Sequence, residues 1–379
     1  WITFNKPKES SSNPNELVEH GGFLMALGLN GQLATLGKLE SFDYLIRGND
    51  MISIGILLGT CAAKRGSMDI LATKKVATQV EALLPSTATE LPLSNTTQVA
   101  GLAGLGLLYQ GTGHRQMAEV CLMELGRPPG PEMENCTDRE SYSLSAGLAL
   151  GMITLGKGDL LNKGSLSDLR LPETLYHHMV GGPRSPSVYR HRFRSPSSYQ
   201  IQEGDTVNVD ITSPGATLAL GLMFFNSGNK TYANWMNAPD SQFLLEFVRP
   251  DFLMIRTLAK GLIMWDSILP NSAWIDSHVP SSIRPYCLRR PGDDISLPQN
   301  GPRGITGSID YETINQAYCN IIAGAALAMG LRFAGSNNSQ AFEVLHRITR
   351  RLLAISKRSV AELAGKATVE QTICVLVLS

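Results

Sequence analysis

A run of small and aliphatic residues around a central glycine constrains this chain more than any other feature, because the run recurs seven times. The copy at residues 139–156 carries no charge after Glu140 and holds Gly147 and Gly151 in the interior of a predicted helix. A glycine inside a helix is less favourable than alanine by about 1 kcal/mol. Its recurrence therefore indicates a contact that offsets the loss, and self-similarity of this kind is typical of repeat proteins.

One glycine in each run occupies a position that we treat as equivalent. The seven are Gly28, Gly59, Gly106, Gly151, Gly221, Gly261 and Gly330. Glycine or a polar residue usually follows five positions later. Four of the six spacings, of 31 to 47 residues, accommodate two helices and two short connections, which is the period of helical-hairpin solenoids. The other two spacings, of 70 and 69 residues, indicate insertions at about residues 157–209 and 277–309.

The sequence therefore predicts an all-α fold, an α-solenoid in which small-faced helices form an inner row and bulkier helices form an outer row. Tighter packing of the inner row predicts strong curvature, which closes into a ring if enough repeats follow one another. We expect a polar lead-in at residues 1–15 and one solenoid domain at residues 16–379, from which two long inserted loops project. The chain starts at Trp1 and stops within an apolar run, so we expect a piece of a longer protein.

The composition argues against nucleic acid and membrane as partners. The 33 basic side chains balance the 33 acidic ones, so the chain has no overall attraction to nucleic acid or acidic lipid. The apolar runs are of about 10 to 15 residues, whereas a membrane span needs about 20. Charged residues are 17% of the chain, below the average of about 25%. A surface covered by partners and a thick helical core would each explain that shortage.

The residues that usually carry chemistry form no recognisable catalytic or metal-binding pattern. His177 and His178 are adjacent, so their side chains diverge on a helix and do not form the i, i+4 metal pair. Asp138 and Glu140 fit the start of a helix, where Thr137 or Asp138 is expected to act as the N-cap. The cysteines show no metal-ligand spacing. We therefore expect no enzyme activity, no cofactor, no metal and no small-molecule ligand.

Two further features point to regulation or docking. Ser185 and Ser195 each stand between an arginine and a proline in a basic loop, which predicts phosphorylation by proline-directed kinases. Phosphate groups there would cancel the local positive charge. Trp235, Trp265 and Trp274 are candidate interface anchors, and the alternative is that they pack between the layers of the solenoid.

Several stretches of the chain resemble a known family, the proteasome/cyclosome repeat proteins. They lie at residues 16–45, 126–151, 213–222, 269–274 and 330–336. The family comprises the two largest non-ATPase subunits of the proteasome base and subunit 1 of the anaphase-promoting complex, and the stretches are similar to the third of these. The likeness runs from about Glu16 to the end of the chain, and it departs from the family at the two insertions and near residues 356–369.

The resemblance implies a toroid of two concentric helix rings in a non-catalytic scaffold of a cullin-type ubiquitin ligase of the cell cycle. It implies partners among the ligase subunits, namely the Doc-domain degron co-receptor, the cullin–RING module and the TPR subunits, and a location in the nucleus and cytoplasm. An alternative within the same family is a subunit of the proteasome regulatory particle that binds ubiquitin-like partners. Recovery of proteasomal ATPases without ligase subunits would favour that alternative.

Overall fold

The fold of the chain is all-α, as the sequence predicts. The computed structural model describes residues 2, 4–7, 14–46, 49–85, 93–128, 136–159, 164–183, 206–288, 310–356 and 364–379. Within these residues the regular structure is helical, and an isolated antiparallel bridge pairs Pro183 with Thr206. The contacts divide the chain into two compact units, residues 1–223 and 224–379, which are called unit 1 and unit 2 below.

Unit 1 alternates long apolar helices with shorter, more polar ones. Its α-helices are α1 (Pro14–Leu29), α2 (Lys38–Ile46), α3 (Asp50–Ala63), α4 (Ile70–Ala77), α5 (Asn95–Leu108), α6 (Arg115–Leu125), α7 (Cys136–Ile153), α8 (Leu171–Val180) and α9 (Val209–Met223). The odd-numbered helices pack one against the next in chain order and are called row helices. The even-numbered ones are called flanking helices, and each of them packs against a row helix.

The row helices of unit 1 are parallel. Near the amino ends of α3 and α5, Thr97 donates a hydrogen bond to the Asp50 carboxylate (Oγ1 to Oδ1 3.3 Å). Nearer their carboxyl ends, Gly104 of α5 lies against Cys61 of α3. Parallel helices bring their positive amino ends to one edge, where carboxylates are favourable. Acidic side chains stand there in the first turns of most row helices, at Glu16, Asp50, Asp138 and Asp210.

Unit 2 repeats the alternation with a longer central helix. Its α-helices are α10 (Lys230–Trp235), α11 (Gln242–Leu245), α12 (Pro250–Ile263), α13 (Ser272–Asp276), α14 (Tyr311–Phe333), α15 (Ser339–Ser356) and α16 (Lys366–Leu378). The row helices here are α12, α14 and α16, with α14 between the other two. Ile314, Ile321 and Met329 of α14 are buried in the core of the unit.

The length of α14 corrects one expectation. We expected apolar runs of about 10 to 15 residues, too short for a membrane span, but α14 has 23 residues. Among the described residues it is the helix that is long and apolar enough to cross a membrane. Most of the apolar part of α14 is nevertheless buried within the protein, where Gly324 and Ala328 face α12.

Both expected insertions are shorter than predicted. Within residues 157–209, α8 buries Leu171, Leu175 and Met179 and packs against α9, so this part is folded into unit 1. At the start of residues 277–309, the side chains that follow α13 belong to the core of unit 2. They are Val279, Ile283 and Tyr286. Short helices without a glycine run give no signal in the sequence, so the sequence alone predicts loops for these segments.

Candidate functional site

The seven predicted repeat glycines all lie inside row helices and are all buried. Five belong to unit 1, one each on α1, α3, α5, α7 and α9, and the remaining two belong to α12 and α14 of unit 2. A buried glycine in a helix interior exposes no backbone to water and leaves room for a neighbour. These glycine faces, stacked along the row helices, are the candidate scaffold element of the protein.

The glycines allow the row helices to touch backbone to backbone. Gly28 of α1 faces the backbone of Gly59 of α3, and Gly147 of α7 faces the backbone of Gly215 of α9. A β-carbon on Gly106 of α5 would lie 2.6 Å from a Cα atom of α7, nearer than real atoms approach. Helix axes are usually 8–10 Å apart, set by the side chains at the contact. Contacts without side chains bring the axes closer and give each helix many more dispersion contacts.

The turns that follow the row helices show that the seven glycines are not one equivalent set. Four of them stand five residues before a residue with positive φ, which opens the turn, and these four are Gly106, Gly151, Gly221 and Gly330. After α3 the positive-φ residues are Gly66 and Met68, so Cys61 holds the position that we assigned to Gly59. Gly28 precedes its positive-φ residue, Gly31, by only three. Gly59 instead supplies the contact with α1.

Sequence reasoning missed a second feature, in which the turns after α3, α5, α7 and α9 hold the carboxyl end of the next row helix. In unit 1, the turn after α3 donates from Gly66 N–H to the Leu107 carbonyl of α5 (3.0 Å) and from Met68 N–H to the Leu108 carbonyl (3.2 Å). The turn after α5 donates in the same way from Gly111 to α7 (2.8 Å). We call this set of bonds the turn ladder.

The turn ladder continues through both units. In unit 1, Gly113 donates to Ile153 (2.9 Å) and Gly156 to Leu222 (3.1 Å); in unit 2, Asn226 donates to Leu262 (2.9 Å) and Gly228 to Ile263 (3.0 Å). The last carbonyl groups of a helix have no partner inside the helix. The row helices of unit 1 carry no basic residue in their last turns, so these amides satisfy carbonyls that a basic side chain often serves elsewhere. The signal in the sequence is a pair of glycine or asparagine residues two positions apart.

A buried polar network fixes the flanking helix α6 to the row helix α7 in unit 1. The Tyr142 hydroxyl of α7 donates to Glu124 Oε2 (2.7 Å), and Arg127 Nη2 donates to Glu81 Oε2 (2.6 Å). Arg127 also lies 3.5 Å from the Glu124 carboxylate, and its side chain is 10% exposed. Burial, together with the nearby Glu124 carboxylate, holds the pKa of Tyr142 well above its ordinary value. The network therefore keeps Tyr142 as a neutral donor and pairs a buried guanidinium with two carboxylates.

A half-buried histidine in unit 2 is kept neutral by its surroundings. His278 packs against the Trp274 ring at 4.5 Å, and its Nδ1 lies 2.9 Å from the Trp274 carbonyl oxygen. Burial lowers the pKa of His278 to about 4, and the positive charge of Lys260 adds to the effect. In the ranges that the structure describes, no group of three His, Cys, Asp or Glu side chains is placed to hold a metal ion.

The tryptophans pack against aromatic neighbours inside unit 2. Trp235 lies 4.8 Å from Tyr232, and Trp265 lies 5.0 Å from Phe225, measured between ring centroids. Trp274 contacts the histidine described above. All three are half-buried, which favours the packing alternative over exposed interface anchors.

Two other candidates from the sequence are placed as follows. Ser185 and Ser195 lie outside the described residues. Helix α7 begins at Cys136, so Thr137 and Asp138 lie within its first turn and neither is its N-cap. Instead, the Asp138 carbonyl and carboxylate oxygens accept from the Asn95 side-chain amide of α5, which joins two row helices at their amino ends (3.3 and 3.4 Å).

Comparison with known proteins identifies the family to which this chain belongs. A family model described as the APC1 fifth domain matches residues 70–379, and one described as the APC1 fourth domain matches residues 1–65. The chain belongs to the anaphase-promoting complex subunit 1 family. The boundary between the two matches falls in the turn between α3 and α4, although glycine contacts run from α1 through α9 without a break. The prediction of one solenoid domain at residues 16–379 stays a prediction.

Relatives from distant organisms match 94% or more of the chain. It is 50% identical to "Anaphase-promoting complex subunit 1" of Homo sapiens over 100% of this chain and 19% of the relative. It is 36% identical to "Negative regulator of mitosis" of Emericella nidulans over 94% of this chain and 15% of the relative. The subunit 1 of Saccharomyces cerevisiae is 30% identical over 94% of this chain and 19% of the relative. The chain thus spans about a fifth of the length of these members of the subunit 1 family.

Proposed function

We propose that this chain is part of a non-catalytic scaffold of the anaphase-promoting complex, a cullin-type ubiquitin ligase of mitosis and cell division. The observation that carries the proposal is family membership, because one subunit 1 family model covers residues 70–379. The names of the human and Emericella nidulans relatives connect that family with the anaphase-promoting complex and with mitosis. The helical row supports a structural role, since backbone contacts and the turn ladder make a rigid element that a scaffold needs.

The proposed architecture is the proteasome/cyclosome repeat toroid. In it, the row helices form the inner of two concentric rings and the flanking helices form the outer one. Backbone contacts along the row support this arrangement, because a row packed more tightly than its flank curves toward the tight side. Electron microscopy of the full-length protein tests the proposal. A closed ring of helices is expected, and an open, straight solenoid would contradict it.

The proposed partners are other subunits of the ligase, namely the Doc-domain co-receptor, the cullin–RING module and the TPR subunits. The corresponding location is the nucleus and cytoplasm. To test this, the full-length protein is tagged at its own locus, and the proteins that co-purify are quantified by mass spectrometry. We expect ligase subunits in near-stoichiometric amounts. Recovery of proteasomal ATPases in their place would support the alternative of a proteasome regulatory subunit, which the family membership does not favour.

A catalytic role would be revealed by ubiquitin transfer. The purified chain is incubated with ubiquitin, activating enzyme, conjugating enzyme and ATP, with and without an added cullin–RING module. We expect no transfer above background by the chain alone, and transfer as soon as the module is present. Turnover by the chain alone would overturn the non-catalytic assignment.

Phosphorylation of Ser185 and Ser195 is part of the same proposal. Both are Ser-Pro sites that follow arginine, and each phosphate adds about two negative charges to a basic segment. Mass spectrometry of the protein from mitotic and interphase cells tests the idea. Phosphate on both serines in mitosis is expected, and two unmodified serines would end it.

A further inference from the structure

Helix α15 of unit 2 presents an unusual combination of charge and apolar side chains to the surface. Its buried face includes Ala341, Val344, Leu345 and Leu352, which complete the core of unit 2. The remaining faces expose further large side chains, including Phe342, which is 67% exposed, and Leu353, which is 43% exposed. A helix that already buries one apolar face rarely exposes two further large apolar side chains to solvent unless they have a function.

The exposed residues of α15 form two adjoining stripes. At about 100° per residue, Phe342, His346 and Leu353 fall within an arc of about 40°. The rings of Phe342 and His346 are stacked, with their centroids 5.6 Å apart, and together with Leu353 they form a continuous apolar ridge. Arg350 lies beside this ridge, and Arg347 lies farther round on the same exposed side. The ridge and the arginines extend over three turns of the helix.

The charges of this face are unbalanced. Three arginines, Arg347, Arg350 and Arg351, share the exposed surface of α15 with one acid, Glu343. Within the described parts of the chain, these side chains form no ion pair and no hydrogen bond. Arginine is the residue best suited to bind carboxylates, because its planar fork matches both oxygens. The face is therefore short of carboxylates, and a partner can supply them.

We propose that the exposed face of α15 is a docking surface for an acidic amphipathic segment of another protein. The segment would place carboxylates against Arg347 and Arg350 and one or two apolar side chains on the ridge of Phe342 and Leu353. The 12 residues from Phe342 to Leu353 extend about 16 Å, so three helical turns of a partner or about five extended residues fit.

The observations favour a protein segment over the other possible occupants. A second copy of α15 would oppose arginine to arginine, which is unfavourable. A membrane would need a broad apolar face to insert, and the broad apolar face of α15 is already in the core. Nucleic acid binding usually relies on a larger basic patch without large aliphatic side chains, whereas this face has Leu353 beside its arginines.

The experiment measures binding of a fluorescent peptide to the purified 379-residue chain. The probe is an amphipathic helix of about 16 residues with leucine and phenylalanine on one face and glutamate on the other. We expect saturable binding that weakens about tenfold when salt is raised from about 0.05 to 0.3 M. The same peptide with lysine in place of glutamate is expected not to bind.

Paired variants identify the face. Arg347→Glu with Arg350→Glu, and separately Phe342→Ser with Leu353→Ser, should each weaken binding at least about tenfold. The first pair changed to lysine keeps the charge and should give an intermediate loss. The matched control, Lys74→Glu with Lys230→Glu, makes the same charge change at other exposed positions and should lose much less.

Four outcomes would overturn the proposal. The first is absence of saturable binding, and the second is equal loss in the control and the arginine variant. The third is tighter binding of a single-stranded oligonucleotide or of phosphatidylserine vesicles than of the peptide, lost in the same variants. The fourth is dimerisation of the chain in sedimentation experiments that the Phe342 and Leu353 changes abolish, because a second copy would then cover the face.

Discussion

The row helices come together through two kinds of contact, and the two units use them differently. In unit 1, glycine faces glycine at Gly28 with Gly59 and at Gly147 with Gly215, so these contacts are made by two backbones, whereas Gly106 faces Ala149. In unit 2, Gly261 of α12 faces the methyl group of Ala328 of α14, so only one side lacks a side chain. Alanine keeps its helix propensity where glycine loses about 1 kcal/mol. A close contact therefore needs glycine on only one side, and a second glycine brings the helices closer at a cost in propensity.

The ends of the row helices differ in the same way. From α3 to α9 of unit 1, the turn ladder satisfies helix carbonyls with backbone amides. Between α12 and α14 of unit 2, the turn is the 3₁₀-helix Trp265–Ser267, and side chains connect it to α14. Arg332 in the last turn of α14 donates to the Asp266 carboxylate (3.2 Å) and lies 5.5 Å from the Trp265 ring. The carboxyl ends of α5, α7, α9 and α12 are thus held by backbone amides, whereas the contact at the end of α14 depends on side-chain identity.

The largest expected effect is the loss of a glycine–glycine contact in unit 1. Gly147→Val should lower the free energy of unfolding by about 3 kcal/mol or more, because its side chain would collide with the backbone of Gly215. The measurement is urea unfolding followed by circular dichroism. Gly22→Val is the matched control, since Gly22 of α1 has open space around it and the change should be close to neutral. Equal losses at both positions would contradict the contact.

The contact between Gly261 and Ala328 in unit 2 should allow a rescue that the glycine–glycine contacts of unit 1 do not. Gly261→Ala should lower the free energy of unfolding by about 2 kcal/mol, because the new β-carbon would lie 2.6 Å from that of Ala328. Adding Ala328→Gly should restore most of the loss. In unit 1, Gly28→Ala has no such rescue, because Gly59 has no side chain to remove. Additive effects of the two changes in unit 2 would argue against a direct contact.

Unit 2 should lose stability as the pH falls from about 6.5 to 4. The folded pKa of His278 is lowered to about 4, so the unfolded chain takes up the proton first, and the stability present above pH 6.5 is lost on acidification. The loss from this group should be on the order of 2 kcal/mol. The fluorescence of Trp274, which contacts His278, reports on this unit.

The variant that tests this is His278→Gln, compared with the original chain at pH 7 and at pH 4.5. Any packing change shows at pH 7, where the histidine is neutral, and only the protonation effect grows on acidification. The variant should therefore flatten the dependence of unfolding on pH. A slope equal to that of the original chain would assign the acid sensitivity to another group, such as His20 of unit 1, whose pKa burial also lowers.

The smallest expected effect is a gain in the turn ladder. Met68 has φ of 53°, whereas its counterpart after α5 is Gly113, and a side chain in this region costs about 1 kcal/mol. Met68→Gly should therefore raise the free energy of unfolding of unit 1 by up to about 1 kcal/mol. Ser67→Gly, one residue earlier, is the control and should lower it. Destabilisation by both changes would show that the Met68 side chain contributes more than its backbone strain removes.

The sequence predicted the features that recur and missed those that depend on pairing across repeats. The glycine runs indicated helices with small faces, and all seven glycines are buried in helices. The register of Gly59 was wrong because the equivalent position of α3 is Cys61, which a search for glycines does not find and which only the turn at Gly66 identifies. The turn ladder was missed because, in the sequence, a glycine after a helix indicates only that the helix ends. The carbonyl group that accepts a hydrogen bond from its N–H is known only from the structure. Helix α8 was missed because its ten residues include no small-residue run.

Because successive row helices of unit 1 are parallel, the chain must return from the carboxyl end of one row helix to the level of the amino end of the next. Three of the connections from a row helix to the helix that follows it have one length: six residues separate α3 from α4, α5 from α6 and α9 from α10, whereas seventeen separate α7 from α8. An extra residue in one of these six-residue connections would displace the two helices that it joins relative to each other. The connections that return the chain to the next row helix have no such constraint, and the long stretches before α9 and α14 are connections of this kind. Relatives of this chain should therefore differ in length mainly in the return connections and keep the six-residue connections constant.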